Sequence, residues 1–263
     1  MSEGLKPAHN PRVGLGKLGL ILYPLPLIVF LIVWHVLTND SPDRQFTFSS
    51  PRQVIEAFVR LASSGELLKN TEVTVLEAVS GFLMGTITGA TIGLSFWYSK
   101  TVAKIAHPYI TALATIPIFS LAPVIIAWFG IGLWSKIMLA FLSTVAVAIV
   151  QSYQGAMSVE PRFLKFMHVA GATRSQIFKM VVIPSALIWV INAMRLNIGL
   201  ALLGAFIGEF ISAEEGLGYM INKASGVFDM ATVFVGVIAL IFVALALTAI
   251  IDQLERRLLK WRV

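Results

Sequence analysis

Few side chains here could do chemistry, and their spacing decides what kind. The four histidines, His9, His35, His107 and His168, have no mutual spacing suited to one metal site. There is no cysteine, which removes thiolate metal centres, iron–sulfur clusters, disulfides and a cysteine nucleophile. Cradling a nucleotide's phosphates would take Gly-x4-Gly-Lys-Ser/Thr. The nearest lookalike ends at Asn222-Lys223-Ala224 and lacks the second glycine and the hydroxyl. Gly14-x-Gly16-x-x-Gly19 spells a dinucleotide fingerprint, but no βαβ unit surrounds it. A Gly-x-Ser-x-Gly nucleophile elbow is missing too. Enzyme activity within this polypeptide is therefore not expected. What remains is one charge, Arg195, in a long apolar run, with Asn192 three residues before it and Gly199 four after, all on one helical face. An arginine at the centre of a membrane span costs roughly 2.5–3.5 kcal/mol, so it must meet a partner or a wet cavity. It fits equally a positive element of a solute pathway and a structural arginine bonded to carbonyls of adjacent helices.

The elements that would position these residues are membrane helices. Of 263 residues 57% are hydrophobic and only 13% charged, about half the charge of a soluble domain, and mean hydropathy is +0.83. Lys104 to Lys136 encloses 31 uncharged residues, and Glu77 to Lys100 and Asp229 to Asp252 enclose 22 each, where a span needs about 20. These runs predict an all-α polytopic bundle with about six spans, at 18–37, 76–98, 107–130, 135–155, 181–206 and 230–251. With the N-terminus inside, 13 of the 20 Lys and Arg fall on the cytoplasmic side; the positive-inside rule then places both termini there. The net charge of +6 is read the same way, and not as a nucleic-acid footprint. The first apolar stretch follows basic residues, like a signal peptide, but is too long and lacks a cleavage site before Asn39-Asp40-Ser41-Pro42, so it is expected to stay as an anchor. The organisation is a cytoplasmic tail (1–17), one transmembrane domain (18–251) and a cytoplasmic C-terminal tail (252–263). Within the domain lie an external loop at 38–75 and a cytoplasmic loop at 156–180.

Local signals fill in this frame. In the external loop Ser50, Pro51 and Gln53 start a short helix, Val54, Ile55, Phe58, Leu61 and Ala62 line one face, and Gly65 ends it. Gly81, Gly85, Gly89 and Gly93 form a smooth ridge on the second span, suited to static packing or to sliding against another backbone. Pro117 and Pro123 predict a bent or broken third span, enclosed by neighbours, that is either merely kinked or lines a pathway. In the cytoplasmic loop Pro161 opens an amphipathic helix with Phe163, Leu164, Phe166, Met167 and Ala170 as its apolar positions. Gly171 stops it, and Thr173 with Gln176 caps a second helix. This elbow either floats on lipid headgroups or inserts into a partner's groove.

Gly171-Ala172-Thr173-Arg174, followed by Ile183-Pro184, resembles the cytoplasmic loop of permeases in binding-protein-dependent ABC importers. Pro51-Arg52-Gln53-Val54, Ile116-Pro117 through Ala122-Pro123, Trp128-Phe129-Gly130-Ile131-Gly132, Ser135-Lys136-Ile137, Gly208-Glu209 and Glu215-Gly216-Leu217-Gly218 are similar to segments of the nitrate/sulfonate/taurine-type subfamily. The resemblance spans roughly residues 46–262. It implies a type-I importer (MetI-like) permease fold in a bacterial inner membrane. It also implies a second permease chain, identical or paralogous, two cytoplasmic ATPase subunits that hold the ATP and Mg, and an extracytoplasmic binding protein. This chain would need no cofactor of its own. Met167, His168, Ala170, Gly171, Ala172 and Arg174 would couple to the ATPase, and Asn192 and Arg195 would belong to the pathway, where the positive Arg195 favours an anion. Two departures stand out. Lys165-Phe166-Met167 occupies the place of the usual Glu-Ala-Ala, and Thr47-Phe48-Ser49 replaces the usual Leu-Pro before the external Ser-Pro. The competing reading is a secondary transporter or channel-like bundle, which would call for ionisable relay residues in several spans where only Arg195 is evident.

Overall fold

The computed structural model describes residues 24–39 and 41–258; expectations about 1–17, 18–23, Asp40 and 259–263 lie outside them. Among the described residues there are twelve α-helices and no strand. They are α1 (Leu25–Asn39), α2 (Pro42–Phe48), α3 (Pro51–Ser63), α4 (Glu66–Ser95), α5 (Lys100–Thr115), α6 (Ile118–Phe129), α7 (Leu133–Met157), α8 (Pro161–Val169), α9 (Arg174–Ile177), α10 (Ile183–Ser212), α11 (Leu217–Gly226) and α12 (Met230–Leu258). A wider π turn, Phe178–Val182, joins α9 to α10 without a break.

Three long helices, α4, α7 and α10, form the centre, and small residues bring them together. A Cβ on Gly81, Gly85, Gly89 or Gly93 of α4 would run into Ala140, Thr144, Ala148 or the Ile149–Ser152 turn of α7. A second ridge, absent from the sequence expectations, lies on α10, where Gly204 and Gly208 meet Ala140, Ser143, Lys136 and Leu139 of α7. Thus α7 is clasped on two sides. Since lipid tails are as apolar as leucine, such close backbone approach is what holds membrane helices together. At one end of the bundle sit the α8–α9 elbow and the Phe96–Tyr98 turn after α4; at the other, α3 and α11 lie against α12 and α4.

The spans differ from expectation in four ways. Four helical stretches are long and apolar enough to cross a membrane: Glu66–Tyr98, Leu133–Met157, Arg174–Ser212 and Met230–Arg257. The expected span 107–130 is two helices, α5 and α6, bent by 94°. The residue before a proline is pushed out of the helical region, and Ile116 is extended (φ −67°, ψ 124°), which breaks the chain there. Pro123, by contrast, is absorbed inside α6. The described part of the first expected span, α1, has 15 residues. The external loop is almost wholly helical, and the second span starts at Glu66 instead of 76, so α4 is about 45 Å long. On α3, Val54, Ala57 and Leu61 are buried while Ile55 and Phe58 face outward, a correction to the face read from the sequence. The expectation that the broken helix would be enclosed is not met within one chain, because Tyr109, Phe119 and Trp128 stand exposed.

Candidate functional site

The elbow is built by backbone rules. Pro161 occupies the first turn of α8, where its missing N–H costs nothing. At the other end Gly171 adopts φ +76°, the N–H of Ala172 donates to Met167 O (3.0 Å) and that of Gly171 to His168 O (3.0 Å), the paired bonds of a Schellman stop. Thr173 then caps α9: its Oγ1 accepts from Gln176 N (3.3 Å), and Gln176 Oε1 accepts from Thr173 N (2.7 Å). The six loop residues singled out from the sequence divide between two directions. Met167 and Ala172 pack inward, with Leu164, against Ile177, Val182, Trp97 and Phe178. His168 Nδ1 donates to Leu164 O (2.7 Å), and Ala170 and Gly171 are exposed. Arg174 donates to Tyr98 O (2.5 Å) and lies over the Trp97 and Tyr98 rings, while Phe178 packs on the same two rings. It therefore fastens the elbow to the end of α4. The outward face consists of Phe163, Phe166 and Val169, at 49%, 70% and 90% exposure. Phe163 and Phe166 were read from sequence as apolar positions but not placed in the coupling set, and Val169 was not singled out, although the i, i+3 spacing of the three could have pointed to them.

On α10, Asn192 is exposed, and Leu196, Gly199 and Leu203 continue the same open side. A cavity of about 200 Å³ lies nearby, bounded by Ile116, Ile118 and Leu121 of the broken helix and by Leu200 and Leu203. Arg195 is engaged differently from both expectations: its Nε donates to Asp252 Oδ1 (3.0 Å), and its guanidinium also pairs with Glu255, both on α12. These acids were assigned to a tail, but α12 runs to Leu258, so Arg195 stands level with a charged helix end. Among the described residues its partners are these carboxylates and no carbonyl.

At the opposite end of the bundle is a polar cluster that the sequence reading did not assemble. Glu77 of α4, Lys136 of α7 and Glu209 of α10 are 3%, 2% and 1% exposed. Glu209 accepts from Thr74 Oγ1 and Gly218 N, both 2.6 Å, and Leu217 N donates to Thr74 Oγ1 (2.8 Å). Asn70 accepts from Gly216 N (2.7 Å). Gly216 has φ +111°, and a side chain there would strike the Glu209 carboxyl, which is why Gly-Leu-Gly stands at 216–218. Lys136 Nζ donates to Ile131 O, Gly132 O (3.3 Å) and Ser212 O (2.6 Å). The signal available in sequence was that Glu77, Lys136 and Glu209 each border a long uncharged run; what brings them together is tertiary.

Residues 81–260 match the family described as binding-protein-dependent transport system inner membrane component. The chain belongs to that family. Among relatives of this permease, the riboflavin transport system permease protein RibX of Chloroflexus aurantiacus is 32% identical, covering 90% of this chain and 89% of that one. The formylaminopyrimidine transport permease protein ThiX of Halalkalibacterium halodurans is 28% identical over 89% and 93%, and the taurine transport system permease protein TauC of Escherichia coli 26% over 89% and 87%. The fold is that of a chain in an inward-facing MetNI methionine ABC transporter structure, with a TM-score of 0.67 at 15% identity, covering 75% of this permease and 98% of that chain. The expected family and the type-I importer fold both hold. The permease is thus a membrane subunit of an ABC importer for a small solute, and the secondary-carrier alternative is not supported.

Proposed function

We propose that this permease pairs with a second permease chain, that the elbows of the two chains dock two ATPase subunits, and that the solute arrives from an extracytoplasmic binding protein at the α3–α11 end. ATP and Mg belong to the ATPases, and this chain carries no cofactor. The elbow and both termini are cytoplasmic. The observation that carries this reading is the outward Phe163–Phe166–Val169 face on a helix fastened through Arg174 to Tyr98. An apolar helix face of this kind fits a groove in a partner, and the Arg174 fastening passes its displacement directly to α4. His168, Ala170 and Gly171 set the stop that aims this face, with Met167 and Ala172 as its inner anchor. Alternating access requires the ATPases to hold the elbow differently in their two nucleotide states, since a ligand without differential affinity shifts nothing.

The pathway side is the open face of Asn192, Leu196, Gly199 and Leu203 beside the broken helix, which the second chain encloses. Arg195, held by two carboxylates, offers little free charge to an anion. The solute is assigned as a small water-soluble organic molecule, in keeping with relatives named for riboflavin, formylaminopyrimidine and taurine. The test is to replace 162–174 by Gly/Ser and measure uptake in proteoliposomes containing the ATPase and binding protein. ATP-dependent uptake is expected to vanish with the permease still inserted; undiminished uptake overturns the docking role.

A further inference from the structure

We infer that Lys136 is a positioning residue for transport: a tethered cation that pins the α6–α7 turn to the end of α10, so that α6 swings between this pin and the break at Ile116–Pro117. The inference rests on the importer reading above. Three facts converge on it. First, the Lys136 ammonium gives its donors to carbonyls of two separate segments, Ile131 and Gly132 after α6 and Ser212 at the end of α10. The Ser212 carbonyl, the last of α10, has no partner within its own helix, as at any helix end. Second, the place is fixed from every side. Glu77 and Lys136 line one cavity, and Glu209, on the neighbouring helix, is itself tied to α4 through Thr74 and to α11 through Gly218. Third, the segment it pins is bordered by freedom. Gly130 has φ +79°, and nothing lies within 4 Å of where a side chain on Gly130 or Gly132 would be. The 94° break stands at the other end of α6. Between these two points α6 holds the bundle along one side only, through Ile118, Leu121, Ala122, Ile125 and Ile126 against Leu139 and Ile207, while Phe119 and Trp128 are uncovered. The helix therefore has a hinge at each end and a single packed side, and the lysine keeps one hinge in place.

The experiment uses the full transporter in proteoliposomes, scoring solute moved per ATP hydrolysed. Lys136→Met keeps the aliphatic stem and removes the donors. This ratio is expected to fall about tenfold with ATP hydrolysis continuing, and Lys136→Arg to restore most of it, since the guanidinium can reach the same carbonyls. An unchanged ratio in Lys136→Met overturns the inference, as does failure of Lys136→Arg to do better than Lys136→Met. A second measurement stands if Lys136→Met does not assemble. The chain has no cysteine, so Gly132→Cys with Ala213→Cys can be bridged by a short bifunctional thiol reagent. A fixed pin predicts that the bridged transporter keeps most of its uptake. Arrest by the bridge, reversed on cleaving the reagent, would mean that the turn must leave α10 and would overturn the pin. Absence of ATP-driven uptake in the unmodified transporter would instead defeat the importer reading, an outcome separate from either.

Discussion

Gly171 is the residue whose backbone is least replaceable in the elbow. At φ +76° a side chain costs about 1–2 kcal/mol, and proline, fixed near −65°, would also delete the N–H that reaches His168 O. Gly171→Pro is therefore expected to abolish uptake without reducing the amount of permease in the membrane; normal uptake would show that the elbow's stop is dispensable. Arg195 makes a different case. Its partners Asp252 and Glu255 are on α12, and the pair is partly exposed, so Arg195→Ala should cost on the order of 1 kcal/mol in stability. If pairing is its whole role, Asp252→Ala/Glu255→Ala will lower uptake as much as Arg195→Ala does; a larger loss in Arg195→Ala would restore it to the pathway. Asp229, just before α12, feels burial pushing its carboxyl up, yet the Thr232 hydroxyl and N–H together with Arg60 outweigh that and leave it below the ordinary aspartate value. With the folded carboxyl more acidic than the unfolded one, its contribution is complete above about pH 4 and fades as pH falls through the lower folded value. Asp229→Asn should remove that acid-side loss, read from detergent melting between neutral and acid pH. The identity of Arg195 as an outlier was legible from a single charge in an apolar run; its partners were not, because nothing local marks how far α12 continues.

Among elements, α4 and α7 carry the tightest contact, since Gly85 faces Thr144 with no room for a Cβ. Gly85→Leu must push the helices apart, and overpacking of this kind costs about 1–3 kcal/mol. A clear fall in detergent melting temperature is expected; an unchanged one would mean that the contact is looser than drawn. The glycine ridge on α4 was visible because its four-residue period is unbroken. The answering ridge on α10 was not, because Gly204 and Gly208 are only two positions and their partner is Lys136 and Leu139 as much as small residues. The elbow was legible for a similar reason: proline, glycine and a capping box act within a few residues of chain. The break at Ile116–Pro117 was foreseen, but its 94° angle was not, since proline geometry removes helical bonds without dictating where the next helix goes. The Glu77–Lys136–Glu209 cluster joins positions up to 132 residues apart, and no local pattern reports such a meeting.

For the whole molecule, uncovered aromatic residues on α5 and α6 and an apolar elbow face imply that the chain is one part of a larger assembly. Purified gently from its native membrane, it should bring along a Walker-A-bearing ATPase at two copies per two permease chains; a chain that purifies alone and still moves solute in liposomes without ATP would overturn this. The double clasp of α7 also carries a consequence for biosynthesis. Its two partners are made on opposite sides of it in time, α4 before and α10 after. While the ribosome works through α5 and α6, the smooth stripe on α4 has nothing of its own to meet, and the first durable contact waits for residue 157 to clear the exit tunnel. Newly inserted α4 must therefore be sheltered or tolerated by the insertion machinery during that interval, and stalled chains ending before α7 should be degraded faster than those ending after it.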